Sequence, residues 1–178
     1  MFYECSDITE IDLSNFNTSN VKNMQNMFHE CSSLTSLNLS NFDTSKVKDM
    51  NHMFYGCSSL TSLNLSNFDT SQVTWMNHMF YNCSSLTSLN LSNFNTSQVT
   101  EICDMFDGCI NLEYINMKNF KETSLLKNIY DMFTNVPDNI VVCINQDNIK
   151  NKIYPRIQNI KCHIEDCTDD WKLKQWIY

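Results

Sequence analysis

Five cysteines recur at a constant interval of 26 residues: Cys5, Cys31, Cys57, Cys83 and Cys109. One phrase surrounds each of them. In its clearest form it reads Met27-Phe28-x-x-Cys31-x-x-Leu34-x-x-Leu37-x-Leu39-x-Asn41-Phe42-x-Thr44-Ser45-x-Val47-x-x-Met50. A fixed period of about 20–50 residues specifies stacked repeats, because one unit cannot bury its own apolar face alone. Such an array is an extended surface, and surfaces bind more readily than they catalyse.

The repeats run over residues 1–26, 27–52, 53–78, 79–104 and 105–131, the last carrying one inserted residue after Phe120. A sixth unit opens at Met132-Phe133 and breaks off at Pro137. Residues 1–136 are therefore expected to form the array, and residues 137–178 a capping segment that continues into a missing region. Met1 fills the slot of Met27, Met53, Met79 and Met105, so the chain is expected to open in mid-array. No signal peptide is visible, and no run approaches the ~20 apolar residues needed to span a bilayer.

Two periodicities coexist within a unit. Leu37 and Leu39 alternate with Ser36, Asn38 and Ser40, which suits a short strand with the leucines inward. Val47, Met50, Met53, Phe54 and Cys57 follow the stripe of a short amphipathic helix, with Asp43, Thr44 or Ser45 as its N-cap. Equivalent strands should pair in parallel, setting Leu37 on Leu63 and Leu89, and Phe42 on Phe68 and Phe94. The expected fold class is α/β, with a parallel strand and a short helix per repeat and a C-terminal α/β cap. Within that cap, residues 139–145 and 159–164 read as strands. Thr168 opens a helix, and Trp171 and Trp176 pack on the array. With two glycines and two prolines in 178 residues, Asn and Asp are expected at the tight corners.

The formal charge is −8. An acidic chain offers no electrostatic footprint for phosphate backbones, so nucleic acid is not an expected partner. An anionic membrane surface is disfavoured for the same reason.

The repeat strongly resembles the 26-residue repeats of BspA-like leucine-rich-repeat surface proteins, over about residues 1–136. The resemblance implies a parallel-stranded leucine-rich-repeat solenoid in a cell-surface or secreted setting. It also implies adhesion to protein or glycan ligands on host, matrix or neighbouring cells. It brings no catalytic residues and no cofactor.

The ladder cysteines lie between expected core positions and read as small buried hydrophobes. Bridges between neighbouring rungs are the alternative, although five rungs cannot pair evenly. Zinc is disfavoured, since no C-x-x-C pair occurs and one ligand per layer does not converge tetrahedrally. Beyond the ladder, Cys143 and Cys162 are the expected disulfide, with Cys167 paired outside this chain; reduced thiols are the alternative. Cys103 stands alone as a candidate surface thiol. His52 and His78 share a slot and should stack, either as a solvated polar row or as a weak metal pair. Asn15, Asn41, Asn67, Asn93 and Asn119 form a column expected to bond loop backbone along the stack.

The candidate ligand face consists of two columns on the outer side of the strands. These are Ser36, Ser62, Ser88 and Tyr114 beside Asn38, Asn64, Asn90 and Asn116, preceded by Glu10 and Asp12. Small neutral side chains supply no strong anchor, so binding there would gain from repetition. Tyr3, His29, Tyr55 and Tyr81 mark a second strip. Six Asn-x-Ser sequons, at Asn17, Asn38, Asn64, Asn82, Asn90 and Asn95, follow from the repetitive composition. No Ser/His/Asp set, carboxylate pair or phosphate loop appears, so no enzyme is expected. A rigid spacer without its own ligand is the competing reading.

Overall fold

The apolar stripe from Val47 to Cys57 does not form a helix. His52 (φ 56°) and Gly56 (φ 68°) both take the left-handed backbone conformation, and two such residues four apart cannot sit in a right-handed helix. Tyr55 and Cys57 instead close tight turns, donating their N–H groups to His52 and Phe54 carbonyls. The alternate residues Met50, His52, Phe54 and Gly56 donate to the carbonyls of Trp75, Asn77, Met79 and Tyr81 in the next repeat. An α-helix would spend those N–H groups internally. Here they join one repeat to the next.

The computed structural model describes residues 1–145, 152–157 and 162–164. Among these, the only helix is the four-residue α1, Tyr154–Ile157, and it lies outside the repeats. The expected leucine-rich-repeat solenoid of one strand and one helix per unit is therefore corrected. Regular strands are few and short: β1 (Ser88–Asn90), β2 (Tyr114–Asn116), β3 (Val141–Cys143) and β4 (Cys162–Ile164). They form one parallel sheet in the order β1-β2-β3-β4. The strand expected around Leu37 and Leu63 is not formed in the second and third repeats. The helix expected from Thr168, and the packing of Trp171 and Trp176, lie outside the described residues.

Repeats nevertheless stack in register. Isolated parallel bridges connect Asn23 to Asp49, Asp49 to Trp75, Trp75 to Glu101 and Glu101 to Asn128. The last step is one residue longer and absorbs the insertion after Phe120. Phe28, Phe54, Phe80 and Phe106 stack face to face with centroids 5.6–5.8 Å apart. Each ring is fully buried, which is worth roughly 1.5–3 kcal/mol apiece. Leu39, Leu65 and Leu91 are buried, whereas Leu37 and Leu63 are only partly covered and Leu89 is buried.

The left-handed corners fall in two slots per repeat. Asn26, His52, His78, Asp104 and Asp131 fill one; Glu4, Glu30, Gly56, Asn82, Gly108 and Asn135 fill the other. Asn and Asp are present as expected, but both glycines also turn corners. Gly56 and Gly108 alternate with larger residues because the side chains of Glu30 and Asn82 lie over them.

Candidate functional site

The expected ligand face is open only in part. Ser36, Asn38, Ser62, Asn64 and Asn90 are exposed and Ser88 is half-buried. Tyr114 and Asn116 are buried, with only 7% and 9% of their surface accessible. In the sheet Tyr114 pairs with Val141 and Asn116 with Cys143. Tyr114, Val141 and Cys143 form a second apolar cluster on this side, with the Tyr114 hydroxyl 3.3 Å from Cys143 Sγ.

The asparagines of this face are also committed locally. Oδ1 of Asn38, Asn64 and Asn90 accepts the N–H of Ser40, Ser66 and Ser92 at 3.0–3.1 Å. Asp12 and Asn116 do the same to Ser14 and Lys118. Each closes an Asx turn, in which a side-chain carbonyl replaces a backbone acceptor. The sequons at Asn38, Asn64 and Asn90 thus have a conformational origin.

Cys31, Cys57, Cys83 and Cys109 are buried free thiols, and Cys5 is half-buried and free. Each buried Sγ–H donates to a phenylalanine carbonyl of the preceding repeat: Cys31 to Phe2 at 2.9 Å, and Cys57 to Phe28, Cys83 to Phe54 and Cys109 to Phe80 at 3.1 Å. The Phe54 carbonyl also accepts the Cys57 N–H at 3.1 Å, so both of its lone pairs are used. Burial pushes the thiols of Cys31 and Cys109 up to about 11 and about 12, and raises Cys57 and Cys83 strongly as well. Nucleophilic chemistry needs the thiolate, which burial suppresses here. Cys103 is free and half-buried, its thiol also raised by burial.

Cys143 is disulfide-bonded. Cys162 lies in β4 opposite Val141, while Ile164 is opposite Cys143. The side chain of Cys162 and the whole of Cys167 lie outside the described residues, and the expected Cys143–Cys162 pairing lies there with them.

Two columns of rings occupy one edge of the stack. Tyr3, His29, Tyr55 and Tyr81 stack with centroids 4.6, 4.5 and 4.7 Å apart. Beside them His52 stacks on His78 at 4.6 Å, and His78 Nε2 meets the Asp104 carboxylate at 3.3 Å. Ring faces are covered by their neighbours, so the strip shows solvent its edges. Burial, with His78 and His29 adding to it, lowers His52 to about 4. Burial raises the Asp104 carboxyl, more than His78 lowers it. Parallel imidazoles direct their ring nitrogens side by side rather than at a common point. Among the described residues no group of three or more His, Cys, Asp or Glu is placed to hold a metal ion.

A shallow groove of about 490 Å³ crosses the neighbouring column of corners, lined by Glu30, Gly56, Asn82 and Gly108 with Ser32, Ser58, Ser84 and Ile110. Among the described residues no helix is long and apolar enough to cross a membrane.

Sequence reasoning missed the role of the threonines. Thr18, Thr44, Thr70 and Thr96 are buried, and each hydroxyl accepts the N–H and donates to the carbonyl of one residue in the next repeat. Thr70 clamps Asn95 at 2.7 and 3.1 Å; Thr96 clamps Lys121 at 2.7 and 2.9 Å. Their invariant place after Asp or Asn was the available signal. The asparagine column does bond loop backbone: Nδ2 of Asn67 donates to Leu39 and Phe42 carbonyls, and that of Asn93 to those of Leu65 and Phe68.

A family model described as "Mycoplasma protein of unknown function, DUF285" matches residues 1–89 and again residues 61–168. No curated protein and no solved structure matches the chain.

Proposed function

This chain belongs to the DUF285 family, and from that premise we propose that it is a non-catalytic binding module of a cell-surface or secreted protein. Its partners in this reading are protein or glycan ligands on host, matrix or neighbouring cells. The observation that carries the reading is the exposure of the same two slots in successive repeats, filled by Ser36 and Ser62 and by Asn38, Asn64 and Asn90. Identical groups repeated once per layer let weak contacts add along one extended ligand. The resemblance of the repeat to BspA-like surface proteins supports the same setting.

One observation favours the second reading, a rigid spacer. The Asn side-chain carbonyls on this face are already used in Asx turns, which leaves fewer groups for a ligand. Ser36→Arg with Ser62→Arg separates the two, because neither serine closes a turn. Circular dichroism checks the fold, and adhesion of protein-coated beads to cells and to matrix is then measured. Loss of adhesion in a folded variant supports the binding module; undiminished adhesion assigns the spacer.

A further inference from the structure

We infer that His52, packed between His29 and His78, is the acid-sensitive centre of a seam that holds the second, third and fourth repeats together when His52 is neutral and loosens them when it is protonated. The three imidazoles are contiguous. His52 lies 4.6 Å from His78 and 6.1 Å from His29, ring centre to ring centre. Tyr55 has its ring centre 4.5, 5.7 and 6.4 Å from those of His29, His52 and His78, and Tyr81 lies beside His78 at 5.7 Å, tilted to it.

The Nδ1 atoms of His29, His52 and His78 are all buried without a hydrogen-bond partner. A neutral imidazole can leave one nitrogen as a bare acceptor, whereas an imidazolium carries N–H on both. Protonating His52 therefore creates a buried donor with nothing to receive it, between two further imidazoles that disfavour its charge. Among the described residues, acids act on the cluster from its ends. Asp104 pairs with His78 and is itself crowded by Asp107 and Asp131; Glu30 acts on Tyr55 and Tyr3 from the other end. Among the described residues no acid forms an ion pair with His52, the middle of the seam. His52 and His78 also hold the repeats through backbone, donating N–H to the carbonyls of Asn77 and Cys103. A charged seam thus strains the same residues that carry inter-repeat hydrogen bonds.

The direction follows from linkage. His52 is lowered in the folded chain, so the stability of its neutral form is present above the ordinary histidine range. It is lost as pH falls from about 6.5 in the unfolded chain towards about 4.

The test uses the full chain and a His52→Asn, His78→Asn variant. Asparagine is compatible with the slot, since Asn26 holds it in the first repeat with the same φ of 56°. The expected result is a melting temperature that falls more steeply from pH 7 to pH 5 in the parent than in the variant. Equal slopes overturn the seam. If the variant does not fold, proton NMR titration of the parent decides. A His52 midpoint well below that of the unfolded chain, with reduced amide protection at His52 and Phe54 in acid, supports the proposal. An ordinary midpoint, or unchanged protection, overturns it.

Discussion

The Thr44 hydroxyl holds both backbone groups of Asp69, accepting its N–H at 2.8 Å and donating to its carbonyl at 2.9 Å. One buried side chain thereby does for two repeats what a pair of strand hydrogen bonds does elsewhere in a sheet. The arrangement recurs at Thr18, Thr70 and Thr96, and it explains how a stack with so little regular strand stays in register.

Replacing Thr70 by valine keeps the shape and removes the clamp. Asn95 then loses partners for both its N–H and its carbonyl, and an unsatisfied buried group costs about 1–3 kcal/mol. Urea unfolding should show a loss in that range for Thr70→Val and a smaller one for Thr70→Ser, which retains the hydroxyl.

Thiol labelling should divide the free cysteines by burial. Cys5 and Cys103 are partly accessible, whereas Cys31, Cys57, Cys83 and Cys109 are covered and their thiolates disfavoured. In native protein at pH 8, a disulfide-exchange reagent should modify Cys5 first and Cys103 more slowly. The other four should react only after unfolding, as peptide mass mapping can check.

Gly56→Ala meets two obstacles. The backbone is left-handed there, which costs a side chain roughly 1–2 kcal/mol, and the new Cβ would fall 2.7 Å from the Glu30 carboxyl group. The Glu30 side chain can swing away, so the backbone cost should dominate. Gly56→Asn should be milder, because Asn82 fills the equivalent corner with φ 54°. Adding Glu30→Ala should recover only the clash, and chemical denaturation of the parent, Gly56→Ala, Glu30→Ala and the double variant gives the cycle.

Asp43 accepts from both the N–H and the hydroxyl of Ser45, and those bonds lower its carboxyl below the ordinary range. Its contribution is present above the unfolded carboxylate range and is lost as pH falls through the lowered folded value. Asp43→Asn should keep the turn, as Asn17 and Asn95 do, while removing that acid dependence. Asp43→Ala should lose both. Thermal melts between pH 3 and pH 7 distinguish the variants.

The repeat was legible because its period is written in the order of the residues. Phe28, Phe54, Phe80 and Phe106 had to superpose once a fixed period of 26 was granted, and they do. The stripe from Val47 to Cys57 was misread because spacings of 3 and 4 suit a helix and also a chain that turns a corner every fourth residue. His52 does not announce a left-handed corner in the way glycine does. On the candidate ligand face, Ser36 and Ser62 are exposed as read from alternation, but Tyr114 and Asn116 are not. Alternation names a face of the chain; it says nothing of what later lies across that face.

The sequence by itself determined which residues lie over one another, since identical units stacked at one period bring like to like. Only the tertiary structure decided what the backbone does between them. The N–H of His52 can serve its own turn or the carbonyl of Asn77, and that choice exists only once a neighbouring repeat supplies the acceptor. The same holds for the buried hydroxyls and thiols, whose partners lie 25 and 29 residues away along the chain.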